Sequence, residues 1–179
     1  MKEKSSVILA MILLAGIVAV GVWQLSGSSP SSDSSNTGGR AAPTVGSVTL
    51  DGKPWRLADQ KGKVVLLDFW ASWCPPCVAA LPELKELHER YRSEPDFVMV
   101  GVSLDHTCEQ LDRFLQRSPL PYEVLYDPPR HQLANAFGVT GIPAIWIIGR
   151  DGKVVGGGHL SVDEADRLVR KALSAKAGT

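Results

Sequence analysis

Val64-Val-Leu-Leu-Asp-Phe-Trp70 runs directly into Ala71-Ser-Trp-Cys-Pro-Pro-Cys77, and Val78 to Tyr91 follows with helical spacing. The first run is apolar and β-prone, and its length suits a buried central strand. The pair Cys74 and Cys77 therefore falls at a strand-to-helix corner. Two cysteines at this spacing can close a small disulfide ring and reopen it. The first sulfur sits at the positive end of the helix dipole, which favours thiolate over thiol. This is an arrangement for thiol–disulfide exchange.

The helix after the motif places Leu84, Leu87 and Tyr91 on one face, with Pro82 expected to kink it. Upstream, Asp51-Gly52 between short β-prone runs in Val48–Leu57 predicts a hairpin. Downstream, Phe97 to Ser103 reads as a strand and Glu109 to Gln116 as a helix. Tyr122 to Tyr126 reads as a strand, and His131 to Phe137 as a helix stopped by Gly138. Ala144 to Ile148 and Lys153 to Val155 flank Asp151-Gly152, a second hairpin signal. Val162, Ala165, Leu168, Val169 and Leu173 give a last helix one apolar face, and its charges read as a solvated face. The order predicts an α/β domain: a mixed central sheet flanked by helices, with an N-terminal hairpin and an inserted helix.

The chain has 179 residues and zero formal net charge. That size suits one domain with appendages, and the charge balance gives no reason to expect nucleic acid. Three cysteines are too few for a disulfide scaffold. Val7 to Leu25 is almost entirely apolar and lacks charge. Its nineteen residues would span about 28 Å, close to a bilayer core. Lys2 and Lys4 before it orient the N-terminus to the cytoplasm. Residues 1–25 are thus expected to be a membrane anchor, with a cleaved signal peptide as the alternative. Both readings place the rest of the chain outside the cytoplasm. Residues 26–43 are rich in Ser, Gly and Pro and read as a flexible linker, with the folded domain from 44 to 179.

The corner with WCPPC, Gly141-Ile142-Pro143 before a late strand, and the hairpins resemble the thioredoxin superfamily. DFWASWCPPC at 68–77, VSLD at 102–105, LYDPPRHQLANAFGVTGIP at 125–143 and GRDGKVV at 149–155 resemble its membrane-anchored TlpA/ResA-like branch. The resemblance covers roughly residues 44–175. It implies a monomeric, cofactor-free oxidoreductase whose redox group is the Cys74–Cys77 disulfide.

On this resemblance, Cys74 is the attacking nucleophile, partly exposed at the helix N-cap, and Cys77 the buried resolving thiol. Pro75 and Pro76 lack N–H groups, so the N–H of Cys77 is the main donor left to the Cys74 thiolate. Fewer donors mean a less stabilised thiolate and a less oxidising disulfide, which argues for reduction. Asp68 interrupts an apolar strand, and a buried carboxylate tends to stay protonated. The resemblance makes it the general base for Cys77. Pro143 matches the family's cis-proline, and the backbone of Ile142 would pair with an extended peptide. Trp73 offers clients an apolar platform beside the sulfur. One departure is Ala80, where several relatives carry Glu near the active site.

The implied clients are disulfides of exported proteins, apocytochrome c or a copper-site assembly protein among them. The implied electron donor is a membrane thiol-electron transporter, since no NADPH or flavin motif is present. Alternatives are an oxidant or isomerase, a copper-binding chaperone and a peroxidase. No cysteine or histidine pair at zinc-ligand spacing accompanies the motif, so no metal site is expected. Cys108 reads as a free or packed thiol. The four histidines read as scattered surface residues.

Overall fold

A computed structural model describes residues 39–127 and 130–175. The expected anchor and most of the expected linker lie outside the described residues. Among these residues the strands are β1 (Gly46–Thr49), β2 (Pro54–Arg56), β3 (Val64–Trp70), β4 (Phe97–Ser103), β5 (Glu123–Tyr126), β6 (Ala144–Ile148) and β7 (Val154–Gly158). The helices are α1 (Pro75–Tyr91), α2 (Cys108–Arg117), α3 (Gln132–Phe137) and α4 (Val162–Ser174), with a 3-10 turn at Leu57–Gln60. The strands form one mixed sheet in the order β2-β1-β5-β4-β3-β6-β7.

Strand β3 lies inside the sheet, parallel to β4 and antiparallel to β6. All seven of its residues are buried, which is why it reads as a continuous apolar run rather than an alternating one. Its side chains alternate between two cores. Val64, Leu66 and Trp70 join the cluster under α1, while Val65, Leu67 and Phe69 join the one with Leu133 and Phe137 of α3. Both expected hairpins form, and Gly52 and Gly152 take φ of 81° and 75° at their turns. These left-handed angles carry little cost without a Cβ.

Two expectations about the edges of the domain change. Residues at the end of the expected linker are paired to β7: Gly39 N donates to Val154 O at 2.7 Å, and Val154 N donates to Arg40 O at 2.8 Å. Backbone pairing needs no apolar side chains, so composition does not reveal it. On α4, Asp166 is not on a solvated face. It is buried and accepts from Tyr91 Oη at 2.6 Å, Arg90 Nη1 at 2.5 Å and Arg170 Nη1 at 2.8 Å. Two guanidinium groups and a hydroxyl offset the desolvation of that carboxylate.

Helix α1 continues unbroken through Pro82. It starts three residues earlier than its apolar periodicity indicates, because prolines suit the first turn, where N–H groups have no partner in the helix.

Candidate active site

Cys74 is the N-cap of α1, with extended backbone angles (φ −97°, ψ 101°) and prolines in the first two helical positions. Its Sγ accepts the N–H of Cys77 at 3.3 Å. Cys74 and Cys77 are joined in a disulfide. Cys77 is buried, as expected, but Cys74 is only 4% exposed rather than partly exposed. The bond ties its sulfur to the buried one, and Ala71 and Ile142 pack in the same apolar cluster. Access to Cys74 is thus narrow in the oxidised form.

The loop leading to the motif is pinned by a residue to which the sequence assigns no role. Asp105, just after β4, is fully enclosed and accepts from Ser72 N at 3.1 Å, from Ser72 Oγ at 2.6 Å and from Ser103 Oγ at 2.7 Å. The available signal was an acid closing an apolar strand in VSLD. Leu104 N also donates to Trp70 O at 2.8 Å. The end of β4 therefore fixes where β3 releases the chain towards Cys74.

Trp73 is 46% exposed and lies flat against His106, with ring centroids 5.4 Å apart and planes 5° from parallel. His106 is thus part of the surface beside the disulfide rather than an isolated surface residue. The peptide bond between Ile142 and Pro143 is cis. His159 Nδ1 lies 2.8 Å from the Pro143 carbonyl oxygen. A carbonyl only accepts, so Nδ1 carries the hydrogen. His159 thereby anchors the cis-proline loop from the end of β7.

Asp68 is 1% exposed, and its Oδ2 has no hydrogen-bond partner. It shares the face of β3 that carries Leu66 and Trp70, the face on which Cys77 packs. Burial pushes its carboxyl up to about 7. Both protonation states are therefore populated near neutral pH, which suits a group that takes and returns a proton.

Cys108 is a free thiol at the first position of α2. Burial raises its pKa first, and the charges of Asp112 and Glu109 raise it further, so it is not an activated nucleophile. Ala80 is partly buried against the main core and brings no charge to the motif. Among the described residues no three His, Cys, Asp or Glu side chains are grouped to hold a metal ion.

The family model described as AhpC/TSA matches residues 39–156. The chain belongs to the AhpC/TSA family. Its relatives carry names in thiol–disulfide exchange. It is 33% identical over 117 residues to the thiol-disulfide oxidoreductase ResA of Bacillus thuringiensis, covering 65% of this chain and 66% of that protein. It thus spans just under two thirds of the ResA length. It is 35% identical over 151 residues to the thiol:disulfide interchange protein DsbE homolog of Paracoccus denitrificans, covering 83% of this chain and 80% of that one. The crystal structure of a thiol:disulfide interchange protein of the thioredoxin family from Chlorobium tepidum superposes with a TM-score of 0.64 at 31% identity, covering 75% of this chain and 97% of that one. The thioredoxin-like fold expected from the sequence is the one observed.

Proposed function

We propose that this chain is a thiol–disulfide oxidoreductase that reduces disulfides of exported proteins from outside the cytoplasm, tethered by residues 1–25. The observation that carries the direction is local. Cys74 Sγ receives the Cys77 N–H, and the two helical positions before Cys77 are prolines with no N–H to add. A thiolate with so few donors is less stabilised than a strong oxidant's thiolate and gives up its electrons to a client disulfide more readily.

The Cys74 thiolate attacks one sulfur of a client disulfide, and the other client sulfur leaves with the electron pair. The Cys77 thiol then gives its proton to Asp68. Its sulfur bonds to Cys74 Sγ, and the second client sulfur departs. Trp73 with His106 provides the apolar surface beside the reacting sulfur, and the Ile142 backbone before cis Pro143 pairs with the client chain. A membrane thiol-electron transporter re-reduces the disulfide. The apolar segment at 7–25, which is expected to carry the domain out of the cytoplasm, and relatives named ResA and DsbE support clients in the assembly of exported redox proteins such as apocytochrome c.

The reduction potential of the Cys74–Cys77 couple tests the direction. A value near that of thioredoxin, about −270 mV, is expected; a value near that of the oxidant DsbA, about −120 mV, would reverse the assignment.

A further inference from the structure

Asp68 has no exit for a proton in the roles described above, yet three further polar atoms lie unpartnered in the interior near it. Trp70 Nε1, Tyr122 Oη and His88 Nδ1 are buried and make no hydrogen bond. Trp70 stands two residues along β3 on the same face as Asp68. Tyr122, immediately before β5, is 7% exposed. Asp68 is near enough that its charge adds to burial in raising the tyrosine's pKa. His88 on α1 packs against Tyr122 with ring centroids 5.6 Å apart, and its side chain is 21% exposed. Its Nδ1 is 3.8 Å from Glu89 Oε1, beyond hydrogen-bond reach.

Gly101 explains why these groups converge. It stands opposite Asp68 in the β3–β4 register. A Cβ there would lie 3.1 Å from Trp70 Nε1 and 3.3 Å from Tyr122 Cε2. A glycine at this position lets an indole N–H and a phenol close over the strand beside the acid. The other side chains that line this face are apolar: Met99 of β4, Ile145 and Ile147 of β6, Ala165 and Val169 of α4. The titratable groups packed there are Cys74 at the N-cap of α1, Cys77, His88 and Tyr91 on α1, Asp68, Tyr122 and Tyr126; the Tyr91 hydroxyl already donates to Asp166 and that of Tyr126 to the His106 carbonyl. Buried polar atoms left without partners cost about 1–3 kcal/mol each, so four together call for a common purpose.

We propose that Tyr122 and His88 carry outward the proton that Asp68 takes from Cys77, through a buried water held by Asp68 Oδ2, Trp70 Nε1 and the Tyr122 hydroxyl. Three polar partners are what a buried water requires. The inference rests on the reading of Asp68 as the acceptor for Cys77. In the resolving step the Cys77–Cys74 sulfur bond forms and the Cys74–client bond breaks. The client sulfur leaves with the electron pair, and the Cys77 proton goes to Asp68. Asp68 passes a proton through the water to the Tyr122 oxygen, and the hydroxyl proton of Tyr122 goes to His88 Nδ1 as the two facing rings, unbonded at rest, close to hydrogen-bond distance. His88 releases a proton from Nε2 to solvent, where the client thiolate takes it up. Tyr122 never ionises, and no further oxidant or reductant is needed.

The test uses the full-length reduced protein and a chromogenic aryl disulfide. The first aryl thiolate is released by Cys74 in a concentration-dependent phase. The second is released by Cys77 in a concentration-independent phase. Tyr122→Phe and His88→Gln are each expected to slow the second phase roughly tenfold, leaving the first phase and the reduction potential unchanged. Added to Asp68→Asn, neither should slow it further, because all three act on one proton. Wild-type rates in both variants beside a slow Asp68→Asn variant would overturn the relay and leave Asp68 as acceptor. A wild-type rate in Asp68→Asn would remove the acceptor reading itself. Slowing by Tyr122→Phe that multiplies with Asp68→Asn would mark a packing role and also overturn the relay. Should Tyr122→Phe fail to fold, His88→Gln on the partly exposed face decides alone.

Discussion

The backbone N–H of Cys77 donates to Sγ of Cys74 across 3.3 Å, in a helical turn whose first two residues are Pro75 and Pro76. One turn of helix thus presents the reacting sulfur with a single local donor. An N-terminal turn ordinarily offers several free N–H groups.

Restoring a donor should make the pair more oxidising. Pro76→Ala returns an N–H to the first turn without changing charge. The Cys74 thiol pKa is expected to fall by about one unit and the couple to become more oxidising by roughly 30 mV. Thiolate absorbance against pH, and equilibration with a glutathione buffer, measure the two quantities. An unchanged potential would detach the prolines from redox poise.

Asp68 should cost stability as pH rises. Its folded pKa, about 7, lies above its ordinary 3.8, so between these values the folded state holds more proton than the unfolded one. Stability from this group is complete below about pH 4 and is lost as pH climbs towards 7. Asp68→Asn is expected to be more stable than wild type at pH 8, by up to about 4 kcal/mol, with little difference at pH 4. Denaturant unfolding of the oxidised protein at both pH values checks this. Equal stability at pH 8 would mean the carboxylate is not buried as described.

Asp105 should matter to stability and to the position of Cys74. Asp105→Ala leaves the Ser72 N–H and the Ser72 and Ser103 hydroxyls without their acceptor. A loss of about 2–4 kcal/mol is expected from breaking this buried network. Slower Cys74 alkylation in the reduced protein should accompany it. Chemical unfolding and alkylation kinetics report the two effects separately.

Trp73 is expected to act on protein substrates alone. Trp73→Ala removes a ring that is 46% exposed, so stability should change by no more than about 1 kcal/mol. Reduction of a folded protein disulfide should slow, while reduction of a small aryl disulfide stays at the wild-type rate. Equal slowing of both would assign the ring to the chemistry of Cys74 instead.

The strands and helices around WCPPC were legible because burial writes itself into periodicity. The continuous run at β3 marks a strand covered on both faces, and Asp151-Gly152 marks the turn between β6 and β7. The cysteine pair and the burial of Asp68 were legible for the same reason, residue types out of place in an apolar frame, whereas Pro143 was legible only through the resemblance of Gly141-Ile142-Pro143 to the family's loop. What was not legible depends on partners distant in the chain. Asp166 looks like any helix charge until Arg90 and Tyr91 of α1 meet it. Asp105 gains meaning only from Ser72, thirty-three residues earlier. Gly39 and Arg40 pair through backbone atoms that every residue possesses. Tyr122 and His88 look unremarkable apart, and only the fold sets the Tyr122 ring against Gly101 and the His88 ring against Tyr122.

Trapping tests the account most directly. In Cys77→Ser protein, expressed in its native cell with the proposed anchor left in place, a mixed disulfide formed by Cys74 cannot be resolved. The account predicts exported proteins bound covalently through Cys74, released by dithiothreitol and lost when Cys74 is also replaced by Ser. Absence of any such adduct, or adducts that persist without Cys74, would contradict it.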